Sequence, residues 1–366
     1  MARAIFVLLL VLSLCAVASA QFACAGFEMS DPVGAGVAAK QASSMREQGG
    51  VHALVIFAKF AGEAPQIRRA PDYAAKLLDP NLPGSLAHFY DTMSFDQFRL
   101  RGTVLSKRYS SAQPASTYLA DEPSKEAGDY GRFVSEVLRQ VDADVDFTQF
   151  DNDGPDGVPN SGDDDGRVDY IFVNVLSTPR GFLVGGATGI AGLGFDTAYR
   201  CQDLGINGEP VRIPLGEAYG SILRQGIFAQ TVGVMAHEFG HALKLPDLYD
   251  LAYKGPEDDS AGIGRWGLMG LGALGWQGDD GPNPFCAWSR QQLGWLGRAN
   301  ERLVDVVGDA SGLVLDALDA GGAVYRIPLS GQANEGGLSF WENYLLLEQV
   351  TRQSTHYHRH LPARAC

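Results

Sequence analysis

The sequence predicts an α+β or α/β domain with a mixed sheet and one helix that carries the chemically marked residues, followed by a β-rich C-terminal segment. Two observations carry that expectation. Strand-like and helical stretches alternate through the first three hundred residues, as they do where helices cover a sheet. Beyond residue 300 the helical pattern stops, and short apolar runs separated by glycine take over.

Arg3, the apolar run Ile5 to Val17 and the small residues Ala18-Ser19-Ala20 have the order of a secretory signal peptide over 1–20, cut before Gln21. The run is about 13 residues, short of the roughly 20 that a membrane-spanning helix needs. Residues 21–50 are small and polar and read as an N-terminal arm or short pro-segment. The first strand is expected over Val51 to Phe60, around the apolar run Ala53 to Phe57. Pro83-Gly84-Ser85-Leu86 is a turn that starts a helix carrying His88, Phe89 and Tyr90. Phe98 to Leu105 alternates through Leu100, Gly102 and Val104 as a second strand. Arg132 to Val141 is a helix, with Phe133, Val134, Val137, Leu138 and Val141 on one face. An acidic, glycine-rich loop spans Asp151 to Asp165, and Val168 to Val175 is a buried strand. Two more helices are expected over Gln230 to Leu243 and Pro284 to Leu296. Trp266, Trp288 and Trp295 are read as packing residues. Strands at Leu303 to Val307, Leu313 to Leu315, Val324 to Leu329 and Tyr344 to Val350 complete the chain. The division is therefore a core domain over 51–300 and a β-rich segment over 301–366, which reads as a truncated domain.

Composition narrows the function. The formal charge of -14 opposes a nucleic-acid groove and suits an exported, cation-binding protein. No later stretch is long and apolar enough for stable membrane insertion. Of five cysteines, Cys15 lies in the signal. Cys24, Cys201, Cys286 and Cys366 allow three disulfide pairings, among which the sequence does not choose.

The chemistry is concentrated at Val234-Met235-Ala236-His237-Glu238-Phe239-Gly240-His241. Histidines four apart on a helix stand one turn above each other, so both imidazoles reach one ion. Zinc takes such nitrogens and keeps a position for water in catalytic sites. Glu238, next to the first histidine, faces that water as general base. Asp247 lies six residues past His241, where the elongated zinc motif of the metzincins has its third ligand. Asp250 and Glu257 are the rival ligands. Arg265 to Gly270 is a tight apolar turn holding Met269, which fits the methionine turn of the same proteins. Lone His52 and His88 read as structural. His356, His358 and His360 alternate and on a strand would share one face.

These residues resemble a family, the immune inhibitor A-type secreted metalloproteases of bacteria. The likeness covers LPDLYD at Leu245 to Asp250, RWGLMGLGALG at Arg265 to Gly275 and NPFCAWSRQQLGWL at Asn283 to Leu296. Upstream it includes PGSLAHFYDTMSFDQFRLRGTV at Pro83 to Val104 and VDFTQFDNDG at Val145 to Gly154. The resemblance implies a metzincin-like fold, zinc proteolysis and structural calcium. It makes His237, His241 and Asp247 the zinc ligands, Glu238 the general base and Met269 the turn methionine. The chain departs from the family at Lys244, where glycine usually ends the helix in a left-handed turn; a residue with a Cβ costs about 1–2 kcal/mol there.

In the acidic loop Asp151, Asp153, Asp156, Asp163, Asp165 and Asp169 are candidate calcium ligands, since calcium takes six to eight oxygens. The expected reaction is hydrolysis of peptide bonds in protein or peptide substrates, with Tyr249 as candidate oxyanion donor. The rival reading is a calcium-stabilised extracellular binding or adhesion module with a relic site.

Overall fold

The computed structural model describes residues 49–123, 126–152, 156–250, 260–329 and 344–362. The signal and most of the N-terminal arm, Asp153, Glu257, Cys24 and Cys366 lie outside these residues.

The first strand, β1 (Gly49–Lys59), is an interior strand of a five-stranded sheet. Its residues face two cores in strict alternation. Ala53, Val55 and Phe57 point into one, and Leu54, Ile56 and Ala58 into the other. That two-sided burial is why the segment reads as an unbroken apolar run rather than an alternating one. Helix α1 (Leu86–Ser94) follows, capped by Ser85, whose hydroxyl accepts from the His88 amide at 3.1 Å. Strand β2 (Phe98–Ser110) then pairs parallel to β1. It continues past Leu105 because Arg108 turns inward. The Arg108 guanidinium donates to the carbonyls of Ala58 (3.2 Å) and Arg69 (3.1 Å) and to Gln225 Oε1 (2.6 Å). An arginine at an inward position hides a strand from a reading based on apolar periodicity.

Helix α2 (Tyr130–Val141) starts at Asp129, which accepts from the Arg132 amide, and buries the expected face. Strand β3 (Tyr170–Val175) lies parallel to β1 on the side opposite β2. The next four strands gave no clear sequence signal: β4 (Gly189–Ala191), the hairpin β5 (Tyr199–Leu204) and β6 (Pro210–Ile213), and β7 (Gly220–Arg224). All are six residues or fewer, too short for periodicity to register. The sheet order is β2-β1-β3-β7-β4, parallel except for β4, which runs antiparallel to β7 at the edge.

Strand β7 leads into α3 (Phe228–Ala242), the central helix. From Thr231 to Ala242 every residue is buried. Phe239 points to the sheet and meets Tyr90 at 5.1 Å and Tyr170 at 4.8 Å between ring centroids. Such pairs contribute roughly 0.5–1.5 kcal/mol beyond area burial. The Tyr90 hydroxyl donates to the Ala236 carbonyl at 2.7 Å and locks α1 to α3. Helix α2 and the β5–β6 hairpin cover the other face of the sheet.

Helix α4 (Ala287–Gln292) is shorter than the expected Pro284 to Leu296. Trp295 is fully buried and Trp288 packs at the edge of the core, but Trp266 is 46% exposed and sets its edge against Trp276. The β-rich segment forms a small sheet of β8 (Leu303–Asp305), β9 (Val324–Pro328) and β10 (Tyr344–Leu347). Leu313 to Leu315 is not a strand; its side chains are largely exposed, and the Val314 carbonyl accepts from the Tyr325 hydroxyl at 2.8 Å. The last described residues return to the core domain, where Tyr357 is buried against Phe89, with ring centroids 4.9 Å apart.

His356, His358 and His360 do not share a face. His356–His358 is a 3-10 turn, which sends successive side chains in different directions. His356 meets the His88 ring, His358 Nδ1 pairs with Thr355 Oγ1 at 2.7 Å, and His360 lies 4.0 Å from Asp280. His52 packs on Phe150, and His88 Nδ1 is hydrogen-bonded with the Tyr357 hydroxyl at 2.8 Å. Cys201 and Cys286 are both free thiols, so the pairing of these two is excluded.

Candidate metal centre

The centre is assembled from α3, the chain that leaves it and the methionine turn. His237 and His241 are buried on one side of α3, with ring centroids 5.0 Å apart. Each imidazole is oriented by a backbone carbonyl. His237 Nδ1 donates to Leu268 O at 2.9 Å, and His241 Nδ1 donates to Leu245 O at 2.8 Å. With the proton on Nδ1, each Nε2 presents a lone pair inward, the tautomer that ligation requires.

Asp247 reaches the same point because α3 ends in a Schellman turn. The Lys244 amide donates to His241 O at 2.8 Å and the Leu245 amide to Gly240 O at 3.1 Å. Lys244 itself is left-handed, at φ 66°, so the turn forms despite the missing glycine. The reversal points the Leu245 carbonyl back at His241 and swings Asp247 over the helix. Asp247 Oδ1 lies 3.0 Å from His237 Nε2 and 3.6 Å from His241 Nε2. Its carboxylate is buried, although the residue as a whole is partly exposed.

The donor set fits zinc. A tetrahedral ion with bonds near 2.0–2.1 Å holds its ligands roughly 3.4 Å apart. The three donors all lie within 4.8 Å of one another and are the one such group among the described residues. Asp250 is not part of it; its amide donates to Ser260 O at 3.0 Å.

The three donors also perturb one another electrostatically. His241 is lowered to about 4, by burial first and then by the neighbouring His237. Burial opposes a proton on His237 too, but the Asp247 hydrogen bond and the Glu238 charge outweigh it and move His237 upward. Burial would raise Asp247, yet His237, His241 and the Tyr249 hydroxyl bring it below the usual range.

Met269 and its turn tie the ligands together. Leu268 orients His237. The Met269 carbonyl accepts from the Leu248 amide at 2.8 Å, next to Asp247. Its side chain presses on α3 at Gly240, where an added Cβ would lie 2.5 Å from Met269 Sδ. At Gly233, about two turns earlier on the same side, a Cβ would meet the Ala273 carbonyl, so both glycines allow the turn to lie directly on the helix.

Glu238 is fully buried and faces edge strand β4. A Cβ at Gly189 would come 2.3 Å from Glu238 Oε1 and 3.0 Å from Val234 Cγ1. Glu217, in the turn before β7, is pushed up to about 7, by burial and then by the Asp247 charge. Neither Glu217 nor Gly189 is marked by any pattern in the sequence. A lone acid in a Gly-Glu-Ala-Tyr-Gly turn reads as loop, and only the sheet brings β4 to α3.

The acidic loop turns its carboxylates on itself. Asp151 Oδ2 accepts from the Gly166 amide at 3.0 Å, and Asp169 accepts from Asn152 (3.0 Å) and His52 (2.7 Å) amides. Asp156 accepts from the Val158 amide, Asp163 from the Ser161 hydroxyl and the Asp156 amide, and Asp165 pairs with Arg167 at 3.5 Å. Among the described residues no three of these carboxylates converge as a cation site would require.

A buried helix carrying two facing imidazoles, an aspartate swung over it and a methionine turn beneath the chain define a zinc-metallopeptidase class. The sequence matches the model of the immune inhibitor A peptidase M6 catalytic domain over residues 76–299, more than half of the chain, and the chain belongs to that family. It is 27% identical over 227 residues to the pre-pro-metalloprotease PrtV of Vibrio cholerae, in two strains. That alignment covers 57% of this chain and 23% of PrtV, so the chain spans about a quarter of the length of the relatives it matches. An archaemetzincin crystal structure from Methanopyrus kandleri is similar at 12% identity over 66% of this chain and 93% of that one, with a TM-score of 0.28.

Proposed function

We propose that this chain is a secreted zinc endopeptidase, with His237, His241 and Asp247 as ligands and Glu238 as general base. The observation that carries the reading is the convergence of two oriented imidazoles and the buried Asp247 carboxylate, with Glu238 next to His237 on the same helix. Zinc held there supplies an acidified water and polarises the scissile carbonyl. Glu238 takes the water's proton as its oxygen bonds to the carbonyl carbon, then returns it to the amine as the C–N bond breaks. β4 supports an extended substrate: it ends the sheet and lies against Glu238, so a peptide added to it as a strand brings a backbone carbonyl over the centre. The catalytic unit is residues 51–300, and the signal pattern over 1–20 directs export. Among the described residues no helix is long and apolar enough to cross a membrane.

The test is metal analysis joined to proteolysis. The purified chain should hold one zinc, cleave casein, lose cleavage with a chelator and regain it with zinc. Glu238→Ala should keep zinc and lose cleavage by at least about 100-fold. A zinc-loaded chain that leaves casein and a broad peptide library intact would favour the binding-module reading.

A further inference from the structure

The β5–β6 hairpin and α2 lie on the face of the sheet that does not carry α3. Cys201, Val211 and Ile213 of the hairpin are buried in that core. Between them Arg200 and Arg212 turn outward, directly opposite each other in antiparallel register. Like charges so placed repel by roughly 0.2–1 kcal/mol relative to small neutral residues. Arg139 of α2 lines the same hollow, about 550 Å³ in volume, together with the hydroxyl-bearing Ser135, Thr197 and Tyr199.

None of the three guanidiniums forms an ion pair among the described residues. Basic residues close by behave differently: Arg132 pairs with Glu136, Arg167 with Asp165 and Lys107 with Asp144. Asp142, at the end of α2, accepts from the Gln202 amide at 3.1 Å and the Tyr199 hydroxyl at 3.4 Å. In a chain of net charge -14, three arginines without carboxylate partners around one hollow run against the average field.

We propose that this hollow binds an oxyanion, a sulfate or phosphate ester, through Arg139, Arg200 and Arg212. Guanidinium is a planar fork that matches two oxygens of a tetrahedral anion, which makes arginine better suited than lysine to this task. The Thr197 hydroxyl supplies a neutral donor to a remaining oxygen, while the Ser135 hydroxyl is held by the Gly131 carbonyl at 2.9 Å. An anion there offsets the Arg200–Arg212 repulsion that the hairpin otherwise bears. The sheet separates the hollow from His237, so an occupied site leaves the cleft open, and a macromolecule carrying such esters is held beside the peptidase rather than in it. The inference does not depend on the zinc assignment.

The test compares the full chain with the triple variant R139Q/R200Q/R212Q. Thermal unfolding is followed in sodium sulfate, sodium phosphate and sodium chloride at matched ionic strength. Titration calorimetry then uses a sulfated tetrasaccharide and a phosphoserine peptide. We expect sulfate or phosphate to raise the Tm of the wild-type chain beyond chloride, and the triple variant to lose that excess. We expect at least one ester to bind, each single Arg→Gln to weaken it about 10-fold, and affinity to fall with salt. The ester bound more tightly identifies the source, and equal binding assigns the site to the shared oxyanion. Unfolding of the variant without added anion, unchanged or at higher temperature, shows that the fold survives. No excess over chloride, equal binding by the triple variant, or failure of both esters would each overturn the proposal.

Discussion

Replacing Gly189 with alanine tests whether β4 sets the position of Glu238, the proposed general base. The added Cβ would stand 2.3 Å from Glu238 Oε1, 2.9 Å from its Cδ and 3.0 Å from Val234 Cγ1. A carbon and an oxygen rest at roughly 3.4 Å or more, so one side must yield by about 1 Å. Glu238 is fully buried on a helix whose backbone is held by Tyr90, so the side chain has little room. Overpacking of this kind costs about 1–3 kcal/mol. The shift moves the proton acceptor away from the water it serves, and a misplacement near 1 Å lowers kcat/KM by about 100-fold, or roughly 2.7 kcal/mol. His237, His241 and Asp247 are not near the new methyl group in the way Glu238 is, so zinc content should stay at the wild-type level. The assay is kcat/KM on a quenched peptide, with zinc measured on the same sample. A variant with full zinc and wild-type kcat/KM would refute the reasoning that the edge strand fixes Glu238. Loss of zinc together with activity would place the damage at the ligands instead.

Other consequences follow from the same geometry. Gly240→Ala gains about 1 kcal/mol of helix propensity but drives a Cβ to 2.5 Å from Met269 Sδ; zinc affinity should fall, and adding Met269→Ala should recover part of it in a double-mutant cycle. Lys244→Gly removes a Cβ from a left-handed turn at φ 66° and should stabilise the chain by about 0.5–1 kcal/mol net of glycine's greater unfolded entropy, read as a higher urea midpoint with zinc content unchanged. His358 is lowered to about 4 from 6.5, chiefly by burial, so it folds as the neutral ring. Its stabilisation is complete above pH 6.5 and declines as pH falls toward 4, by at most about 3 kcal/mol. Urea unfolding of the wild type should weaken between pH 7 and pH 5 more steeply than that of His358→Gln; parallel slopes would show that this histidine does not titrate with folding. Cys201 is buried and its thiol is pushed up by that burial, so it should resist alkylation at pH 8 in the native chain and react once unfolded.

Residue order alone settles those features that depend on neighbours in the chain. Two histidines four apart need only a helix to face one ion, so His237 and His241 were legible from spacing. Asp247 was legible because the reversal after His241 is a local turn, and it forms even with Lys244 at the left-handed position. Long regular elements such as β1, α2 and α3 showed themselves through repeated apolar positions. Tertiary structure decided the rest. Strands of three to six residues carry too few positions to set a period, so β4 to β7 emerged only from pairing. The carbonyls of Leu268 and Leu245 that fix the imidazole tautomers have no side-chain signature at all. Gly189 is one of 45 glycines in the sequence, and only the fold distinguishes it, by setting it against Glu238. The alternating histidines show the converse, since His356, His358 and His360 share one face only on a strand, and the chain forms a 3-10 turn there. Direction settles such cases: an imidazole is a ligand only where the backbone aims it, and these are aimed at the His88 ring, the Thr355 hydroxyl and Asp280.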